Sequence, residues 1–305
     1  MPLNKIIDVL KTGKVLVSDG AWGTFLHKKG LKSGECPEQW CITHFNEVKD
    51  IAKSYIEAGA DMVKTNSFGA TSFKLEYYGL GDKASEINEA ATRASREAAD
   101  SYNEVSRGTD KWVISSAGPA GKMLITEEVT EQELYNAFKE QFIAFEKGGA
   151  DAVCIETMSD LGEAVIAIKA VKENTKLETI CTFTFEKTVR GDYRTMMGIT
   201  PADAAKACID AGADIIGTNC GNGIERMIDI VKEIKLSVPN AYILVHANAG
   251  LPINIDGIAV FPDTPQDMAK FTPALIKAGA NIIGGCCGTT PEHIRAIKQI
   301  ISCAH

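Results

Sequence analysis

Four stretches of the chain repeat one order of polar and apolar positions: EAGADMVKTNS (57–67), KGGADAVCIETMS (147–159), DAGADIIGTNC (210–220) and KAGANIIGGCC (277–287). Each joins the end of a helical run to Gly, then Ala-Asp or Ala-Asn, then a short apolar segment. Gly after a helix supplies the left-handed cap that ends it. The nearly all-apolar segment that follows is what a parallel strand covered on both faces requires. Between the copies lie four more apolar runs, VLVSDG (15–20), WVISSAGP (112–119), TICTFTF (179–185) and YILVHANAG (242–250). Eight strands are therefore expected, near 15–19, 61–66, 112–117, 151–156, 179–185, 214–219, 242–247 and 281–285.

Helical periodicity fills the intervals. Val48, Ile51, Ala52, Tyr55 and Ile56 fall on one face, and Leu134, Phe138, Phe142 and Phe145 form another stripe, at spacings of three and four. Thr130 with Glu133 reads as a capping box. Thr200-Pro201, Thr264-Pro265 and Thr290-Pro291 each read as an N-cap followed by Pro at the first helical position. Strict alternation of strand and helix implies a parallel sheet with right-handed crossovers. Eight such units fit a closed barrel better than an open doubly wound sheet. The expected fold is thus α/β, a single (β/α)8 TIM barrel over residues 1–305, with a helix over 3–12, carrying Ile6, Ile7 and Leu10, closing its bottom.

Composition narrows the function. With 305 residues, a 45% hydrophobic fraction and 24% charged residues, the chain has the material for a large core. A net charge of −8 disfavours nucleic acid or an anionic membrane as partner. No window holds 18 uninterrupted apolar residues, so no membrane span is expected. The first twenty residues lack an apolar h-region and a small-residue cleavage site, which leads to the expectation of a cytoplasmic protein. Nine cysteines without small-scaffold spacing then read as reduced thiols, some able to hold a metal.

In a barrel, chemistry collects at the C-terminal ends of the strands. These ends carry Asp19-Gly20, Thr65-Asn66, Ser116, Glu156-Thr157, Asn219-Cys220, His246 to Gly250 and Cys286-Cys287. Cys220 ends the sixth strand and Cys286-Cys287 the eighth. Three thiolates bind Zn²⁺ tetrahedrally and leave a fourth position, the arrangement of a catalytic site, and soft sulfur favours zinc over magnesium or calcium. Cys36, Cys41, Cys154, Cys181, Cys208 and Cys303 read instead as small buried residues. Asp19 and Glu156 face the same mouth, where a substrate ammonium group fits between them; helix capping is the alternative for each. Backbone N–H groups over 20–24 and 117–121 could receive a carboxylate. Thr65, Asn66, Ser116 and Asn219 are candidate hydrogen-bond partners of a substrate, or simply strand ends. His246 reads as a supporting group or a catalyst, and His293 as structural.

The segments GGCCGTTPEHI (284–294), TNC (218–220), SDGAWGT (18–24), TNSFGAT (65–71), IET (155–157) and HANAGLP (246–252) resemble the signature segments of zinc-dependent homocysteine S-methyltransferases. The resemblance runs from about residue 15 to residue 300 and is nearest to the homocysteine-binding barrel of cobalamin-dependent methionine synthase. It implies Zn²⁺ on Cys220, Cys286 and Cys287, the sulfur of homocysteine as a further ligand, and the substrate amine held by Asp19 and Glu156. Asn248 is the expected oxygen ligand before substrate arrives. Trp22 departs from the smaller residue such barrels carry there. The expected reaction is methyl transfer to homocysteine, giving methionine, from a methyl-corrinoid (cobalamin) on a separate protein, because the sequence stops at His305 where those synthases continue into corrinoid and folate domains. The stretch 249–264, long for a βα loop, is the expected docking surface or lid. Two alternatives remain: S-methylmethionine or betaine as donor, with Trp22, Phe68, Tyr77 and Tyr78 caging the onium group, or a non-catalytic zinc- or thiol-binding barrel.

Overall fold

The computed structural model describes residues 2–105, 110–255 and 258–303. Eight parallel strands form the barrel: β1 (Leu16–Val17), β2 (Met62–Val63), β3 (Trp112–Ala117), β4 (Ala152–Met158), β5 (Glu178–Phe183), β6 (Ile215–Gly223), β7 (Tyr242–Asn248) and β8 (Ile282–Gly285). They pair in the order β1-β8-β7-β6-β5-β4-β3-β2. A parallel bridge between Ser18 and Met62, with the Asp61 N–H donating to the Val17 carbonyl at 2.7 Å, brings β2 back to β1. All eight expected strands are present, and β1 and β2 are shorter than expected because their last residues leave the ladder for the site.

The repeated Ala-Asp/Asn step has a structural reason. Asp61, Asp151, Asp214 and Asn281 each open an even-numbered strand and clasp one residue of the odd-numbered strand before it. Their side chains accept from the N–H groups of Val17 (2.9 Å), Val113 (2.7 Å), Thr179 (2.8 Å) and Ile243 (2.9 Å). Their own N–H groups donate to the carbonyls of the same four residues. The preceding glycines Gly59, Gly149, Gly212 and Gly279 all have φ between 92 and 118°, a left-handed turn for which only Gly lacks a steric cost.

Side chains alternate across each strand, and the apolar runs serve both faces. Leu16, Met62, Ile114, Cys154, Ile180, Ile215, Leu244 and Ile282 pack inside the barrel with Ile6 and Leu10. Val17, Val63, Val113, Val153, Cys181, Ile216, Ile243 and Ile283 pack outward against the helices. The basal helix is shorter than expected, Ile6–Leu10. It is pinned where Glu178 accepts from the N–H groups of Ile6 and Ile7 at 2.8 and 2.9 Å. The expected helical stripes are buried, the Thr130–Glu133 capping box is formed, and Thr200 and Thr264 cap helices opened by Pro201 and Pro265.

Three features differ from expectation. A hairpin, Glu186–Lys187 with Tyr193–Arg194, follows β5. A second, Ile253–Ile255 with Ile258–Val260, occupies the long stretch after β7; residues 256 and 257 lie outside the described residues. Both are loop excursions with strands of two or three residues, too short to show a period of their own. Cys303, expected to be buried, is exposed: the last helix turns His293, Ile294, Ile297 and Ile301 inward, and position 303 falls off that stripe.

Candidate active site

Period two carries each barrel strand from its inner apolar residue to a polar one nearer the mouth. Two to four residues beyond the inner layer, the same inward row holds Ser18, Lys64, Ser116, Glu156, Thr182, Asn219, His246 and Cys286. A cavity of about 400 Å³ opens there, bounded by Trp22, Lys64 to Phe68, Ser116, Glu156, Thr157 and the three cysteines.

Cys220, Cys286 and Cys287 converge, their sulfurs all within 4.8 Å of one another and those of Cys220 and Cys287 3.9 Å apart. Backbone geometry makes this possible. Cys220 has φ 58°, an uncommon conformation for a non-Gly residue, and it swings the thiol off β6. The Cys286 N–H bonds the Ala247 carbonyl at 2.7 Å, the Cys287 carbonyl accepts from Ala249 at 3.0 Å, and Thr289 Oγ1 donates to the Cys286 carbonyl at 2.7 Å. Gly288 turns with φ 80°, and Phe261 covers its α-carbon so closely that a Cβ has no room.

The donor set suits a soft divalent cation. Hydrogen bonds from Cys286 and Cys287, ahead of any other influence, hold the Cys220 thiol far below its usual range. Cys220 in turn pushes Cys286 well up and Cys287 up to about 11. The bare cluster thus favours one negative charge, and three thiolates side by side need a cation. Asn248 lies beside Cys220, which its side chain stabilises by hydrogen bonding, and its Oδ1 is buried without a partner among the described residues. A buried carbonyl oxygen left unpaired is costly, and an oxygen ligand position would satisfy it.

Of the two carboxylates expected at the mouth, Glu156 lines the cavity and Asp19 is buried outside its lining. Asp19 is fully buried, its Oδ2 receiving the Trp22 indole N–H at 2.7 Å and the Lys64 backbone N–H at 2.8 Å. Burial raises its pKa from 3.8 to about 6, against the pull of Lys64 and Trp22. Trp22, the departure noted in the sequence, therefore orients Asp19 and walls the cavity. Glu156 takes a hydrogen bond from Ser116 Oγ and an ion pair with Lys64 Nζ at 3.4 Å. Lys64 is 5% exposed. Burial pushes its pKa down, but the charges of Glu156 and Asp19 outweigh that and hold it well above the usual range.

The remaining candidates support the walls. Thr65 Oγ1 accepts from the Ser116 N–H at 3.0 Å and meets Ser67 Oγ at 2.5 Å. Asn66 donates to the Pro37 carbonyl at 2.7 Å. Asn219 is held by Thr157 and Thr182. Gly20 packs against Thr289 and Tyr55, where a Cβ would lie 2.6 and 2.9 Å away. In the turn after β3, the Gly118 N–H bonds Phe68 O and the Ala120 N–H bonds Glu163 at 2.6 Å, so neither is free for a substrate carboxylate. His246 is fully buried in the barrel, both ring nitrogens unpartnered among the described residues. Burial, then Lys64, keep it neutral by lowering its pKa well below the usual value. His293 Nε2 meets the Asp263 carbonyl at 3.0 Å and fastens the loop after β7.

Lys64 and Glu38 escaped the sequence reading. Glu38 is buried at the cavity edge and accepts from the Gly69 N–H at 2.8 Å. Nothing in its local sequence marks it. Lys64 did carry a signal, a charge two residues beyond inward-facing Met62 in an apolar run.

A (β/α)8 barrel whose mouth gathers three thiols that could hold a metal ion, an unpaired amide oxygen and a carboxylate–ammonium pair has the outline of an enzyme site for thiol chemistry. The sequence model of homocysteine S-methyltransferases matches residues 16–301, and the chain belongs to that family. Methionine synthase of Mycobacterium tuberculosis (strain ATCC 25618 / H37Rv) is 29% identical over 97% of the chain, and that of Mycobacterium leprae (strain TN) 30% identical over 97%. The chain spans 25% of the length of each. The metallated form of the homocysteine methyltransferase MmuM from Escherichia coli superposes with a TM-score of 0.81 at 21% identity, covering 97% of this chain and 99% of that one; this likeness concerns the fold. Among the described residues, no helix is long and apolar enough to cross a membrane.

Proposed function

We propose that the chain transfers a methyl group to the thiol of homocysteine, giving methionine, with Zn²⁺ held by Cys220, Cys286 and Cys287 and by Asn248 Oδ1 before substrate enters. The observation that carries this reading is the meeting of three sulfurs within 4.8 Å at the wall of a cavity that also presents Glu156 and Lys64. Bound Zn²⁺ supplies a Lewis acid that keeps a thiol sulfur deprotonated, and so nucleophilic, at neutral pH.

The chain's own groups do the rest. The left-handed turn at Cys220 and the clasped 286–289 turn fix the sulfurs before any ligand arrives. Ser116 and Lys64 orient Glu156, which receives the substrate ammonium. Trp22 and the Lys64 N–H orient Asp19, whose negative charge favours the same cation. Thr65, Asn66 and Asn219 hold the walls that give the acceptor one pose, and positioning of this kind supplies much of a transfer rate. Residues 1–305 act as one barrel domain. The nine thiols, all unpaired, fit a reducing cytoplasm.

For the donor we favour a methyl-corrinoid carried on a separate protein, a reading supported by the resemblance of the segments at 18–24, 65–71, 218–220 and 284–294 to the barrel of cobalamin-dependent methionine synthase. An onium donor such as S-methylmethionine or betaine needs an open aromatic face. Lys74 Nζ already lies 4.9 Å from the Phe68 ring centre, and Tyr77 and Tyr78 are exposed on the outside. The test is a donor screen on zinc-loaded protein with homocysteine, reading methionine. Turnover with methylcobalamin or a methyl-corrinoid protein is expected; turnover with betaine or S-methylmethionine alone replaces the donor. Absence of methionine from all of them, with no sulfur ligand added to the metal, leaves a non-catalytic barrel.

A further inference from the structure

We propose that Lys64 binds the carboxylate of the acceptor thiol, so that the Lys64–Glu156 pair reads an α-amino acid head group as a whole; this rests on the proposed function above. Lys64 is the cationic side chain among the described residues lining the cavity. Its ammonium carries three donors, yet among the described residues its side chain has one hydrogen-bond partner, Glu156 Oε2 at 3.4 Å. That contact is longer than a charge-assisted hydrogen bond normally is, so donors remain for a second anion.

Geometry and charge agree on what that anion is. A zwitterionic amino acid holds its ammonium and carboxylate on one carbon. A lysine and a glutamate side by side on the wall, Nζ and Oε2 3.4 Å apart, present the reverse pair of charges. The ammonium then meets Glu156 and the carboxylate meets Lys64, each charge leaving water for a partner. Of the two backbone routes for the carboxylate, the turn after β3 has its Gly118 and Ala120 N–H groups engaged, and in the turn after β1 the Ala21 N–H is taken by Thr289 Oγ1 at 3.0 Å. N–H groups over 22–24 add dipoles beside the cavity, whereas Lys64 adds a full charge. Asp19 and Glu156 would repel a carboxylate, and Lys64, drawn to both, offsets that repulsion where the head group lies. Thiols of the same chain length without the carboxylate should therefore ligate the metal and bind poorly.

The experiment titrates Co²⁺-loaded full-length protein with four thiols and follows the sulfur-to-metal absorption band. The thiols are homocysteine, 3-mercaptopropylamine (no carboxylate), 4-mercaptobutyrate (no amine) and 1-propanethiol (neither). On the unaltered protein, 4-mercaptobutyrate is expected to bind more tightly than 1-propanethiol, an arm that needs no variant to fold. In K64Q, homocysteine and 4-mercaptobutyrate should weaken at least ~10-fold while 3-mercaptopropylamine changes less than ~3-fold. Equal weakening of all four thiols, or an unaltered protein indifferent to the carboxylate, overturns the assignment while leaving thiol ligation intact. If no thiol produces the band on the unaltered protein, the proposed function itself fails, and the inference with it.

Discussion

Asn219 holds Thr157 by both ends of its amide. Its Oδ1 accepts the Thr157 N–H at 2.7 Å and its Nδ2 donates to Thr157 Oγ1 at 2.7 Å. Thr157 has φ 65°, a conformation a β-branched residue seldom adopts. It follows Glu156, and Asn219 precedes Cys220. One amide therefore sets the exits of β4 and β6, joining the wall that carries Glu156 to the wall that carries Cys220. Thr182 Oγ1 adds a third bond at 2.7 Å.

Asn219→Ala should accordingly injure both halves of the site. Buried donors left unpaired cost roughly 1–3 kcal/mol, and loss of a supporting partner typically lowers metal affinity ~10–100-fold. Zinc affinity from chelator competition and stability from urea unfolding would both fall. A variant with native zinc affinity would show that Thr157 and Cys220 hold their left-handed turns unaided.

Asp19 sets a pH-dependent stability. Its folded pKa of about 6 stands above the ordinary 3.8 because burial disfavours the charge. Between about pH 4 and 6 the folded state therefore binds more protons than the unfolded one, and stability falls as pH rises through that window. Above it the full penalty, roughly 1–3 kcal/mol, is present. Asp19→Asn removes the penalty, so its stability relative to the parent should grow between pH 4.5 and 7.5 in urea unfolding, while homocysteine binding weakens. An advantage independent of pH would contradict the raised pKa.

The barrel was legible because its repeat is written into both ends of every even-numbered strand, and because buried parallel strands are unbroken apolar runs. The clustering of Cys220, Cys286 and Cys287 was legible because each stands where such a run ends. Lys64 is masked in the sequence because Thr65-Asn66 reads as the strand end. Counting by two from Met62 places Lys64 on the inward row, as counting from Cys154 places Glu156. The use of Asn219 as a clasp, the burial of Glu38 and the two hairpins depend on contacts between segments far apart in sequence. No local pattern carries those. The Ala-Asp/Asn step was seen as a repeat, but its clasp on the preceding strand became visible only with the register.

That clasp is testable at Asn281, which carries no ion pair to confuse the result. Asn281→Ala leaves the Ile243 N–H without its 2.9 Å acceptor, a loss of about 1–3 kcal/mol for a buried group. Asn281→Asp restores the acceptor found in the other three copies and should stay within about 1 kcal/mol of the parent. Equal destabilisation by both changes, measured by urea unfolding, would show that the amide nitrogen matters rather than the clasp.

Metal removal should expose an unequal trio of thiols. In the bare cluster the negative charge settles on Cys220, because Cys286 and Cys287 donate to it, and both of them are driven up in consequence. The thiolate is the reactive form of cysteine. After chelation at pH 7, brief treatment with iodoacetamide should therefore modify Cys220 ahead of Cys286 and Cys287, with exposed Cys303 as an internal standard for access. Zinc-loaded protein should be modified at Cys303 as before and more slowly at Cys220, since a thiolate that shares its charge with the metal is less nucleophilic than the free thiolate of the bare cluster. Peptide mapping by mass spectrometry reads each site separately. Faster modification of Cys287 than of Cys220 would reverse the assignment of charge within the cluster, and equal modification with and without zinc would mean that these sulfurs hold no metal.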